Sequence, residues 1–167
     1  MSMTTRTELP PDEPIIVMTR IYDAPRALVW EAMTKPEHVR QWWGGPGFTN
    51  PVCEMDVRPG GHWKHVMRFP DGKELHMEFE FLEVDAPNRL VWQNVGHDEN
   101  DGNPENGPPK SRTTVTLEEV DGGTRCTIVG RFPSMARREQ AANMGYARPI
   151  EASNNRLAAY LPTMARR

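Results

Sequence analysis

DVRPGGHWKHVMRFPDGKELHMEFEFLEV, residues 56–84, is the stretch on which the fold turns. In its second half Leu75, Met77, Phe79 and Phe81 alternate with His76, Glu78 and Glu80. Successive strand side chains point to opposite faces, so a period of two predicts a strand with one apolar and one wet face. Trp63, His65, Met67 and Phe69 repeat the pattern in the first half. Pro70-Asp71-Gly72 between the halves supplies a turn. Arg58-Pro59-Gly60-Gly61 reads as a second turn, because proline restricts φ and glycine accepts the positive values. That turn is too short for a phosphate loop, and no Gly-Lys-Ser/Thr follows it. The stretch is therefore read as architecture: two paired strands presenting Trp63, His65, Met67, Met77, Phe79 and Phe81 inward.

The groups in it that could carry chemistry fit that reading. His62 and His65 are three apart, which on a strand puts them on opposite faces, and no nearby cysteine or third histidine completes a metal set. No metal or cofactor is expected. Glu78 and Glu80 lie opposite the phenylalanines, so they read as a solvated outer face rather than an acid/base pair. Asp56 and Arg58 read as a structural pair.

Upstream, PIIVMTRIY (residues 14–22) reads as a strand with Ile15, Val17, Thr19 and Ile21 on one face. DAPRALVWEAM (23–33) reads as a helix with Asp23 as N-cap, Pro25 in the first turn and an apolar stripe of Leu28, Val29, Ala32 and Met33. TKPEHVRQWW (34–43) reads as a second short helix, with Thr34 and Glu37 at capping-box spacing, ended by Gly44-Gly45-Pro46-Gly47. PVCEMDV (51–57) is a strand with Cys53, Met55 and Val57 on one side.

Downstream, NRLVWQNV (88–95) is a strand, and RTTVTLEEV (112–120) and TRCTIVGRF (124–132) form a hairpin through Asp121-Gly122-Gly123. The polar segment near 97–110 reads as a flexible insertion. Its acids do not make a calcium loop: counting from Asp98, the glycine the loop needs at position six is Asn103. From Ser134 to about Leu161 the chain reads as helical, with Tyr146, Ile150, Ser153, Asn154, Leu157 and Leu161 on one face. Pro149 either kinks this helix or starts a new segment in its first turn.

The expected fold is α+β: a curved antiparallel sheet of about six to seven strands around a long C-terminal helix, with two short helices after the first strand. Residues 1–14 read as a flexible leader and 15–162 as one domain. A chain of 167 residues is long enough to bury a core without staples. Its net charge of −3 and lack of basic runs argue against nucleic acid. The two cysteines, Cys53 and Cys126, form no CxxC pair. No apolar run reaches the roughly 20 residues of a membrane span, and no signal-peptide pattern opens the chain, so a cytoplasmic protein is expected.

Five tryptophans and ten methionines are the strongest remaining signal. A curved sheet gripping a helix leaves room for a cavity, and such residues line adaptable pockets. The expected lining is Trp43 and Phe48 after the second helix, Met55, Trp63, His65 and Met67 on the next two strands, and Met77, Phe79, Phe81, Trp92 and Asn94 beyond them. Tyr146, Ile150, Asn154 and Leu157 would face them from the C-terminal helix.

YDAPRALVWEAMTKPEHVRQWWGGPGF, DVRPGGHWKHVM, PDGKEL, VDAPNRLVW, TVTLEEVDGGTRCTI and NRLAAYL together resemble the C-terminal-type domain of the heat-shock-protein-90 ATPase activator family, within the START/Bet v 1-like (SRPBCC) superfamily. The resemblance runs from about Ile15 to Leu161 and implies a helix-grip fold. It implies three functions: non-enzymatic binding of a hydrophobic or amphipathic small molecule, association with a chaperone, and a cyclase- or hydrolase-like activity using His65 or Tyr146. With no catalytic set in the sequence, binding ranks first, and the chain is expected as a monomer or homodimer.

Overall fold

The computed structural model describes residues 4–95 and 111–165. The insertion expected near 97–110, with its rejected calcium pattern, lies outside the described residues. Eight strands form one antiparallel sheet: β1 (Arg6–Glu8), β2 (Ile15–Tyr22), β3 (Thr49–Met55), β4 (His62–Arg68), β5 (Glu74–Asp85), β6 (Arg89–Asn94), β7 (Arg112–Val120) and β8 (Gly123–Arg131). Their spatial order is β1-β2-β8-β7-β6-β5-β4-β3. Four helices accompany them: α1 (Arg26–Thr34), α2 (Pro36–Trp42), α3 (Met135–Asn143) and α4 (Ala147–Ala165). The sheet exceeds the expected strand count because β1, a three-residue edge strand, lies inside the segment read as a leader. Three polar residues carry no legible period, so β1 could be seen only by its pairing.

The stretch at 56–84 folds as its alternation requires. On β4 Trp63, His65 and Met67 are buried, and on β5 Met77, Phe79 and Phe81. Cα register pairs Trp63 with Phe79 and His65 with Met77. The β7–β8 hairpin closes through Asp121 and Gly122, at φ 40° and 82°, the two positive angles that a tight two-residue turn demands.

Strand β2 faces the other way from its β-branched set. Ile16, Met18, Arg20 and Tyr22 are buried on the inner face; of the expected set Val17, Thr19 and Ile21 are half-buried on the other face, while Ile15 at the strand's start is buried. Both sets are largely apolar, so composition did not separate them. Both helix caps differ from the expected ones. Pro25, not Asp23, occupies the N-cap of α1 and offers no side-chain acceptor. Thr34 donates to the Trp30 carbonyl at 2.7 Å instead of forming the box with Glu37, and Lys35 takes the N-cap of α2. Pro36 does open α2 at its first position.

The C-terminal helical region divides. α3, capped by Ser134, ends near Met144, and Gly145 at φ 83° reverses the chain before α4 begins. Pro149 falls in the first turn of α4, where its missing N–H leaves no bond unmade. α4 is the helix that the sheet grips. It packs on α1, α2 and β2, and its buried stripe is Ser153, Asn154, Leu157, Leu161 and Met164. His38 of α2 bonds Tyr160 of α4 through Nδ1 at 2.6 Å. No helix among the described residues is long and apolar enough to cross a membrane.

Candidate functional site

Between the inner sheet face and the helices lies a cavity of about 570 Å³. Its floor comes from alternate residues of the central strands: Met67 and Met77, Phe79 and Trp92, and Val115 and Ile128. Its side walls are Trp42 and Trp43 at the end of α2 and Ile150 and Asn154 on α4. Exposed Pro46, Met144, Arg148 and Pro149, with half-buried Phe69 and Leu75, mark the mouth. Most of the lining is apolar, with polar points at Asn94, Ser111, Thr113 and Ser153.

The loop after α2 is tied to α4. The Arg156 guanidinium donates to the carbonyls of Trp43 and Gly45, each at 3.0 Å, and to that of Gln41 at 2.9 Å. Ser153 Oγ accepts the Gly44 N–H at 2.8 Å. Burial pulls the Arg156 pKa below its usual value, yet an arginine there stays charged. A planar donor fork suits several convergent carbonyls better than an ammonium would. Phe48 and Pro46 are thereby held at the mouth.

Tyr146 enters from the α3–α4 junction. Its hydroxyl is bonded with Thr113 and lies over Gly130 of β8. A Cβ at Gly130 would stand 2.4 Å from that oxygen, so only glycine allows the approach. Burial raises the Tyr146 pKa to about 12. The phenol is therefore neutral at physiological pH and a poor base.

Ten of the expected lining residues border the cavity: Trp43, Phe48, Met67, Met77, Phe79, Trp92, Asn94, Tyr146, Ile150 and Asn154. Five do not: Met55, Trp63, His65, Phe81 and Leu157. Trp63 is walled off by rings of the lining itself, with Trp43, Phe79 and Trp92 at centroid distances of 5.0, 4.8 and 5.2 Å. Phe81 stacks on the far side of Trp63 at 6.0 Å, and Met55 pairs with Trp63 at the end of β3. Leu157, fully buried, belongs to the contact of α4 with α1 and α2.

His65 is 1% exposed and fully engaged. Its Nδ1 accepts from Trp63 Nε1 at 3.1 Å, so its proton is on Nε2, which donates to Asn50 Oδ1 at 2.8 Å. Asn50 in turn donates to the carbonyls of Arg40 and Trp43 at 3.0 and 3.1 Å. This chain of bonds latches the end of α2 to β3 and β4. Burial, with the nearby Arg40 charge, lowers the His65 pKa to about 4, so the ring is neutral at physiological pH. Burial raises Cys53 to about 11 and Cys126 to about 12, which leaves both as inert thiols. Among the described residues no group of three or more His, Cys, Asp or Glu side chains could hold a metal ion.

Sequence reasoning missed several lining residues. Val115 and Ile128 were visible as alternating strand positions. Ala141, Met144 and Arg148 were not, because the break between α3 and α4 aims them.

A curved antiparallel sheet gripping a long C-terminal helix, with an apolar cavity between the layers, defines a helix-grip protein. The family model described as activator of Hsp90 ATPase homolog 1-like protein matches residues 23–162, and the chain belongs to that family. A crystal structure from Mycobacterium smegmatis is similar at 30% identity and a TM-score of 0.80, covering 94% of this chain and 96% of that one. A protein from Nitrosomonas europaea shares the fold at 24% identity and a TM-score of 0.82, covering 95% of this chain and 100% of that one. One from Rhodobacter sphaeroides does so at 20% identity and a TM-score of 0.82, covering 96% and 99%. No curated protein matches the sequence.

Proposed function

We propose that this protein binds an apolar or amphipathic small molecule, without turning it over, in the cavity between the sheet and the C-terminal helices. The observation that carries the reading is the cavity itself. Its volume of about 570 Å³ falls within the range of small-molecule sites, and its walls are mainly apolar, four Met, three Trp and three Phe among them, with a few polar points. Methionine adapts to irregular shapes, which suits a tolerant site. The state of His65 and Tyr146 supports binding over catalysis: His65 is held away from the cavity, and burial keeps the Tyr146 phenol neutral and a poor base.

Native mass spectrometry beside the denatured mass tests this, together with titration by phenylnaphthylamine, a neutral probe that brightens in apolar sites. A discrete mass lost on denaturation, or saturable probe binding, is expected. A clean apo mass with no probe binding sinks the reading. Family membership favours one other function, a chaperone contact through the outer surface. Unchanged ATP turnover by a heat-shock-protein-90 homologue in the presence of the protein removes that alternative.

A further inference from the structure

Among the described residues that line the cavity, Arg148 alone carries a charge. It stands in the first turn of α4, exposed, at the mouth. No ion pair or side-chain hydrogen bond engages its guanidinium among the described residues; its backbone N–H alone is tied, to the Gly145 carbonyl at 3.3 Å. The nearest carboxylate along the helix, Glu151, accepts from Thr7 at 3.0 Å instead. Elsewhere arginines are used inside the fold. Arg156 bonds the loop carbonyls, Arg138 bonds the carbonyl of Glu13 at 2.9 Å, and Arg20 donates to Asn155. A cation unpaired among the described residues, at the rim of an apolar chamber with no acid among its described lining, selects for one kind of ligand.

We propose that the site takes a single-headed anionic amphiphile, its apolar body among the Met, Trp and Phe walls and its carboxylate or sulfonate on Arg148. This deepens the cavity reading and rests on it. Guanidinium is a planar fork that meets such an anion through two parallel N–H donors. Tyr146, neutral because burial raises its pKa to about 12, brings no charge to the head, so the cation is Arg148. The head stays at the mouth because the interior offers it no charge and would strip its water.

The test uses two probes with the same rings, anilinonaphthalene sulfonate and its uncharged counterpart phenylnaphthylamine. At low salt the wild-type protein is expected to bind the sulfonate about two- to fivefold more tightly than the amine, the range of one exposed ion pair. Raising the salt should narrow that ratio by screening. Arg148→Gln should abolish the preference, and Arg148→Glu should reverse it, with amine affinity within about twofold throughout. If the ratio is the same in wild type and Arg148→Glu, the charge assignment is overturned while the cavity reading stands. If neither probe binds the wild type, both fall. Displacement of the amine by decanoate but not by decanol would extend the result to carboxylates; equal displacement would count against it.

Discussion

Strands β4 and β5 carry two regions built from the same sequence pattern. Trp63, His65 and Phe81 form a sealed end and Met67, Met77 and Phe79 an open end that lines the chamber; the two meet along a diagonal, since Trp63 lies opposite Phe79 and His65 opposite Met77. Alternation is uniform through both. The difference lies in what covers the inner face. Over the sealed end sit Trp43, Asn50 and the end of α2, joined by the His65 bonds. Over the open end stand α4 and the α3–α4 junction, and no described side chain fills the gap they leave. A period of two reports which face is turned inward, not whether protein or ligand fills the space beyond it.

Truncation at each end should separate the two regions most strongly. Phe81→Ala removes a fully buried ring from the sealed cluster and should cost about 4 kcal/mol in urea unfolding. Met77→Ala borders existing space and loses fewer contacts, so about 2 kcal/mol is expected. Equal losses would break the distinction.

The His65 latch should give the sealed end a pH dependence. Its folded pKa of about 4 lies below the ordinary value of 6.5, so between those values the unfolded chain binds more protons. Stability from this group is complete above pH 6.5 and falls as pH drops toward 4, by up to about 3 kcal/mol. His65→Ala should cost a similar amount at pH 7, because it leaves Trp63 Nε1 and Asn50 Oδ1 without partners, and should flatten that part of the profile. A slope that persists in the variant would assign the titration elsewhere.

Arg156 tests the link between the regions. Arg156→Ala should cost about 2 kcal/mol, and Arg156→Lys should not restore it, since a lysine cannot reach the spread of carbonyls at once. Hydrogen exchange should accelerate at Gly44, whose amide is bonded to Ser153. The smallest stability effect belongs to Val115→Phe. The added ring enters existing space, so stability should stay within about 1 kcal/mol while phenylnaphthylamine binding is lost. A large destabilisation would mean the chamber closes in solution.

Much of this fold was legible. The alternating runs marked the inner faces of β4 and β5, and Asp121-Gly122 marked the hairpin, because strand period and turn angles are properties of a few adjacent residues. Helix α4 carried its stripe of Ser153, Asn154, Leu157 and Leu161 at helical spacing. Strand β2 was misleading because its apolar residues occupy both faces, and β1 was silent because its three residues are polar. The capping box failed for a local reason: the Thr34 hydroxyl found an acceptor four residues back in its own helix.

By itself, then, the sequence determined the order of the strands from β2 onward, the inward faces of β4 and β5 and the absence of a local catalytic or metal motif. Those are short-range matters, settled by period, turn chemistry and ligand spacing. Tertiary structure alone decided that His65 is a latch, that the Tyr146 hydroxyl lies over Gly130, and that Arg148 stands beside the cavity with no partner among the described residues. Each depends on groups far apart in the chain brought within a few ångströms, and on the volume left between two layers, which no local pattern encodes.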